Sequence, residues 1–319
     1  MKRALCLMLV TLPLIAQPPK LLVNAQTDTK SAAAGLEQTL RPLIAAPQPA
    51  WIAYSVPSTR TNMGCDYVRD GWNQPGVIHL EPPDHAVILF RVEGGEILRV
   101  RSLSPDCEID AGNLPFHWLN DVKPAESVAF LNTLADKRDR YSDSAMNAIA
   151  LHSDPSAEAT LKRYLAPNQP SVVRVRAVNW FGFAVLKDLA ANDPDERVRE
   201  RAVSRLGSLR DPQTVDVLIP LARKDTNPRI RMAALSALNR RGGPKVLETY
   251  KDTIENDPDI QVKRRAVNSL QNMPDGEGIP LLIQIAKTTK DNEIRKSAMS
   301  SLGNSHDMRA LTFFETVLK

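Results

Sequence analysis

Apolar and polar positions recur in a fixed nine-residue order through the second half of this chain. An apolar residue and a base are followed by two variable positions, then Ala, an apolar residue, two more variable positions and a last apolar residue. The order reads Val173-Arg174-x-x-Ala177-Val178-x-x-Phe181, then Val198-Arg199-x-x-Ala202-Val203-x-x-Leu206. It returns as Ile230-Arg231-x-x-Ala234-Leu235-x-x-Leu238, Val262-Lys263-x-x-Ala266-Val267-x-x-Leu270 and Ile294-Arg295-x-x-Ala298-Met299-x-x-Leu302. A weaker copy, Tyr141-Ser142-x-x-Ala145-Met146-x-x-Ile149, precedes them. Successive copies stand 32, 25, 32, 32 and 32 residues apart. At about 100° per residue the apolar offsets share a stripe about 140° wide, which predicts an amphipathic helix at each copy. The Ala at offset 4 lets a neighbouring helix come close.

Breakers flank each copy. Asp193-Pro194-Asp195, Asn227-Pro228, Asp257-Pro258-Asp259 and Asp291-Asn292 stand just before it. There an Asp or Asn side chain caps free helix N–H groups, and Pro fits the first turn. Asp211-Pro212, Gly242-Gly243-Pro244 and Pro274-Asp275-Gly276 follow, and then a second apolar run such as Val215 to Ala222 or Ile279 to Ala286. Each unit is thus predicted as helix, turn, helix, turn, and its apolar faces are covered only by stacking on neighbours. Gly182 to Asp193 lacks about seven residues of inter-helix turn, which predicts a shortened helix or a local change of superhelix.

Residues 26–135 follow another pattern. Leu36, Leu40, Leu43 and Ile44 predict a helix from about Ser31 to Ala45, stopped by Pro47 and Pro49. Strands are predicted over Trp51 to Val56, Val77 to Leu80, Ala86 to Val92 and Ile97 to Ser102. The last two are joined through Glu93-Gly94-Gly95-Glu96 as a hairpin. Pro124 opens a helix through Val128, Leu131 and Leu134. The predicted fold class is mostly α: an α-α superhelix of about six repeats over 136–319, behind a smaller α+β domain over 26–135.

Over about residues 137–319 the repeats resemble the HEAT-repeat family in its short bacterial form, as in HEAT proteins of the phycobilin-lyase type. The resemblance implies an α-α solenoid. It likens the turn residues Asp193, Asn227, Asp257 and Asp291, with the bases Arg174, Arg199, Arg231, Lys263 and Arg295, to the Asp and Arg ladders that tie HEAT units together. In the first domain, Trp51 to Pro57, Cys107 to Gly112 and Trp118-Leu119-x-x-Val122-x-Pro124-x-x-Ser127 are similar to a cap domain of secreted bacterial HEAT proteins.

Lys2, Arg3, the mostly apolar stretch Ala4 to Ala16 and the small-residue end Val23-Asn24-Ala25 form a secretory signal pattern over residues 1–25. An uncleaved membrane anchor and a cytosolic start are the other readings. The apolar run is shorter than the roughly 18 residues of a spanning helix. The expected location is therefore periplasmic or secreted, in a bacterium, with no stable membrane span after cleavage. Removing the leader leaves Cys65 and Cys107, and export with an even count predicts one disulfide. Two free buried thiols are the alternative. The formal charge of +4 also changes, because three bases lie in the leader. Residues 26–135 then carry 8 bases against 13 acids, and residues 136–319 carry 30 against 24. That balance is no footprint for nucleic acid, whose binding rests on phosphate contacts.

The sequence holds no Gly-x-Ser-x-Gly, His-Glu-x-x-His, phosphate-binding Gly loop or Cys-x-x-Cys. It also lacks the His-Glu dipeptide of iron-binding HEAT hydroxylases. His79, Glu81, Asp84 and His85 form the one cluster with metal or acid–base potential, and an ordinary turn of solvated charges is the competing reading. Phe116-His117-Trp118 could stack a ligand or fill a core. No catalytic residue, metal or cofactor is predicted. The solvent face of the repeated helices carries Arg176, Arg201 and Arg265 at offset 3. Offset 6 carries a polar column of Asn179, Ser204, Ser236, Asn268 and Ser300, with Asn147 ahead of it. The HEAT resemblance places these helices on the inner curve, where the column becomes a shallow, mildly basic groove. Alternatively, the small polar residues only keep the array soluble and tightly wound. The expected function is a non-enzymatic scaffold binding a protein or peptide on this concave face. A HEAT-type lyase, or another enzyme with an unrecognised site, is the alternative.

Overall fold

A computed structural model describes residues 22–58, 65, 84–137 and 141–317. The chain divides into two compact units, residues 1–163 and 164–319. The first contains β1 (Leu22–Val23), β2 (Gln26–Ser31), α1 (Leu36–Ala45), β3 (Ala50–Pro57), β4 (His85–Glu93) and β5 (Glu96–Leu103). It continues with β6 (Ile109–Asp110), β7 (Pro115–Asn120), α2 (Pro124–Asp136) and α3 (Ser142–Leu151), and α4 (Pro155–Leu165) runs across the division. Five strands form one sheet in the order β2-β7-β3-β4-β5. β2, β7 and β3 run parallel, while β4 is antiparallel to both β3 and β5. The predicted hairpin is β4–β5, turning through Gly94 and Gly95 at φ 59° and 83°, where a side chain would be strained. The predicted strand Val77 to Leu80 lies outside the described residues.

Alternation along the strands builds two cores. Ile52, Tyr54, Ile88 and Phe90 are fully buried on one face, and the Phe130 ring of α2 meets Phe90 edge-on at 5.6 Å. Ala53, Val87, Leu89, Phe116 and Trp118 form the other, closed by Cys107, Ile109 and Ala111. Cys65 and Cys107 are joined in a disulfide beside it, with Cα atoms 5.3 Å apart.

A buried hydrogen-bond chain links the first core to its helices. Tyr54 Oη lies 2.7 Å from Ser127 Oγ, which lies 2.9 Å from His152 Nε2, and His152 Nδ1 lies 2.8 Å from the Ala148 carbonyl. A carbonyl only accepts, so Nδ1 carries the proton and Nε2 accepts from Ser127, whose oxygen accepts from Tyr54. Burial holds the His152 pKa below its usual 6.5, so the ring that completes the chain is neutral.

Three structural details bear on the expectations. The first helix starts at Leu36 instead of Ser31, because residues 26–31 pair with β7 and Gly35, at φ 128°, is not helical. Leu22 and Ala25, assigned to the leader, pack on the second core, and the Val23 and Asn24 carbonyls accept the Ala111 and Asn113 amides at 3.1 and 2.8 Å. The weak first copy of the repeat becomes α3, which packs on α2 and β5, and Asn147 donates to Ser102 Oγ at 2.8 Å. The division between units thus falls after Arg163, while the composition of the chain changes near residue 135.

The second unit is helical throughout. α5 (Ser171–Ala177) ends in a 3-10 turn at Val178–Trp180, and α6 (Phe183–Asn192), α7 (Glu196–Ser208), α8 (Thr214–Lys224) and α9 (Pro228–Leu238) follow. Then come α10 (Pro244–Asn256), α11 (Ile260–Leu270), α12 (Ile279–Thr288), α13 (Asn292–Gly303) and α14 (Met308–Val317). The short α5 is where the repeat interval is shortest. Ala177, Ala202, Ala234, Ala266 and Ala298 are all fully buried, as close helix approach requires. Asp195, Asn227, Asp259 and Asp291 cap α7, α9, α11 and α13 through their side chains.

Candidate functional site

The repeated helices α7, α9, α11 and α13 pack directly against one another in sequence. The helices that alternate with them (α6, α8, α10, α12) touch one another much less. A row that is closer together lies on the inside of a bend, so the repeated helices form the inner face of this unit. Arg201, Ser204, Arg265, Asn268 and Ser300 are exposed, and Arg176, Asn179 and Ser236 are half-buried.

The polar column is partly a seam between neighbours. Arg201 Nε donates to Asn179 Oδ1 at 2.9 Å, and Ser297 and Ser301 both donate to Asn268 Oδ1, at 2.9 and 3.2 Å. Ser236 turns back to the Met232 carbonyl at 2.8 Å. Arg205, which the sequence reading passed over, sits one turn beyond Arg201. Its Nε is buried with no acceptor among the described residues. Burial, and then the neighbouring Arg201 charge, lowers its pKa. Arg205 was missed because it stands at offset 7, next to the apolar stripe, where only the structure shows which way a side chain leans.

A second constellation lies along the turns. Arg174 pairs with Asp193, and Arg199 with Asp225, through short charge-assisted bonds. Arg231 meets Asp257 bidentately, Nε to Oδ2 at 2.8 Å and Nη2 to Oδ1 at 2.9 Å. Each aspartate also ties its own turn, since Oδ1 of Asp193, Asp225 and Asp257 accepts the amide two residues on at 2.8–2.9 Å. The ladder acids are therefore Asp193, Asp225 and Asp257. Asn227 and Asp291, assigned to the ladder by their place before the helix, are caps instead. The ladder residue stands two positions ahead of the cap, so that one carboxylate reaches back to the preceding repeat.

Of the other candidates, Asp84 bonds His85 Nδ1 at 2.7 Å, which lowers its pKa, while His79 and Glu81 lie outside the described residues. Phe116 and Trp118 are fully buried, so they fill the core, and His117 Nδ1 meets Asp28 at 2.5 Å. Among the described residues no three His, Cys, Asp or Glu gather as a metal site. None of the described helices is long and apolar enough to cross a membrane.

Residues 183–255 and 247–319 match HEAT repeats. No curated protein matches the chain. Among solved structures, a chain from the complex of CpcE and CpcF of phycocyanin lyase from Nostoc sp. is similar, at 21% identity and a TM-score of 0.35. The match covers 46% of this chain and 99% of that one. Human deoxyhypusine hydroxylase is similar at 12% identity and a TM-score of 0.28, over 60% of this chain and 90% of that one.

Proposed function

We propose that this HEAT-repeat protein is a non-enzymatic interaction scaffold whose inner helix face binds an acidic segment of a protein or peptide. The reading rests on one observation: Arg201 and Arg205 stand one turn apart on α7, and the Arg205 Nε is buried without an acceptor among the described residues. Two guanidinium groups so placed repel each other, and a carboxylate set against them relieves the repulsion. Arg265 extends the positive face along α11. Repeat arrays present such extended inner surfaces to partners. The leader pattern and the Cys65–Cys107 bond support a periplasmic or secreted location in a bacterium, since disulfides persist in oxidising compartments.

The test is binding of the full chain to an array of acidic, neutral and basic peptides at low and high salt. Salt-sensitive retention of acidic peptides, lost in the Arg201→Glu, Arg265→Glu double variant with its helical signal intact, is the expected result. Equal retention by that variant would remove the inner face from the proposal.

A further inference from the structure

The turn ladder stops after three rungs, and the place where it stops is a cleft. Asp193, Asp225 and Asp257 recur every 32 residues, but the next position in phase is Thr289. Its rung partner, in phase with Arg231, is Lys263. Thr289 Oγ1 still accepts the Asp291 amide at 3.3 Å, so the turn survives, but the carboxylate that would reach back is gone. Among the described residues Lys263 Nζ bonds only the Glu255 backbone carbonyl, at 3.0 Å.

A second ion pair vanishes at the same step. Arg223 meets Asp252 at 3.4 Å, and Glu255 and Gln284 stand in their places one repeat later. The cleft between the repeats grows accordingly. Around Arg231 and Asp257 it holds ≈ 220 Å³, and around Lys263 and Thr289 it holds ≈ 390 Å³. The larger volume is of the size that small ligands fill. Lys251, Lys263 and Lys290 line it, with no ion pair for Lys251 or Lys290 among the described residues. Of its two acids, Glu255 and Asp291, the second is engaged in capping α13. Ile254, Ile285 and Ile294 supply apolar walls.

We infer that this cleft binds a carboxylate borne on an aliphatic group, the carboxylate taking the place of the missing ladder aspartate between Lys263 and Lys290. The site lies at the helix ends and turns, apart from the inner face, and does not depend on the function proposed there. Free aliphatic acids and the C-terminal residue of a peptide share this chemistry.

The test follows the isoleucine methyl resonances of the full chain on titration with four probes: hexanoate, hexanamide, a tripeptide ending in free leucine, and inorganic phosphate. Saturable shifts of the Ile254, Ile285 and Ile294 methyls with hexanoate, and binding at least about tenfold weaker for hexanamide, are expected. If the tripeptide binds about tenfold tighter than hexanoate, the source is a chain terminus, and the reverse assigns it to a free acid. Lys263→Arg with Thr289→Asp restores the rung and is expected to abolish the shifts while raising thermal stability. Lys290→Ala, on an exposed turn, should weaken binding without loss of fold. Absence of saturable shifts, equal binding of hexanamide, phosphate binding as well as hexanoate, or shifts unchanged in the rung-restored variant would each overturn the inference.

Discussion

Removing the Asp257 carboxylate should cost far more than its size suggests. Asp257 is 4% exposed at the side chain and Arg231 9%. The aspartate takes two guanidinium bonds and the Asp259 amide, and the Arg231 Nη1 also reaches the Asp225 carbonyl at 2.9 Å. Asp257→Ala leaves a guanidinium enclosed with only the Asp225 and Thr226 carbonyls as acceptors and no counter-charge. Losing one partner of a buried pair typically costs about 3–5 kcal/mol, because the other charge stays desolvated. For a unit of this size that is roughly 6–20 °C in the unfolding midpoint, at about 2–4 °C per kcal/mol. Asp257→Asn keeps an acceptor for the turn amide, so it isolates the charge from the turn. Thr289→Ala supplies the internal reference: it removes one turn bond at the equivalent position, where no carboxylate exists, and should cost only about 0.5–1.5 kcal/mol. Urea unfolding gives the comparison. Amide exchange in α9 and α11 locates the loss, since a repeat array need not unfold as one cooperative block. If Asp257→Ala costs no more than Thr289→Ala, the ladder is surface decoration and the meaning given to its gap fails with it.

Four further outcomes are expected. Gly278→Ala should lose about 1–3 kcal/mol or more, because its Cβ would sit 2.1 Å from the Leu270 carbonyl oxygen, whereas Gly303→Ala meets nothing within 4 Å and should lose nothing; equal urea midpoints would contradict this. His152 has its pKa lowered by burial, so its contribution is whole above about pH 6.5 and declines as the pH falls below that value, where the unfolded chain gains a proton that the folded chain refuses. His152→Gln should flatten the acid side of the stability profile, and an unchanged slope would refute the assignment. Reducing the Cys65–Cys107 bond, which closes 42 residues, should destabilise the first unit by about 4 kcal/mol on the chain-entropy estimate, read from Trp51 and Trp118 fluorescence. An unmoved midpoint would count against it. Where a leader is removed, the new terminus should lie ahead of Leu22, and mass spectrometry finding Gln26 first would show that β1 is dispensable.

The repeats were legible because their code is local. A helix stripe needs residues only three or four apart, and a cap needs a neighbour, so α7, α9, α11 and α13 could be read from single copies of the phrase. The ladder was legible in composition but not in register. Asp225 and Asn227 look interchangeable along the chain. Only the three-dimensional turn shows that the first reaches back to Arg199 while the second caps α9. Phasing the turns at 32 residues, instead of aligning them on the cap, would have found both Asp225 and the odd Thr289.

The first unit resisted because its pairing is long-range. The hairpin β4–β5 was readable from alternation and two glycines. β2, however, pairs with β7 almost ninety residues later, Gln26 opposite Pro115, and nothing in Gln26–Ser31, with its run of small and charged residues, announces a strand. The same distance bears on where an expected leader would end. Val23-Asn24-Ala25 has the small residues a signal peptidase favours. Small residues also suit a chain lying flat against a packed cluster, and here Leu22 and Ala25 close the core beside Cys107 and Trp118. The motif alone cannot separate these two demands. A cut after Ala25 would strip two backbone acceptors from the Ala111–Asn113 turn and two apolar groups from the disulfide-linked core. A cut ahead of Leu22 satisfies both demands, because it removes the charged start and the apolar stretch and leaves every one of those contacts in place.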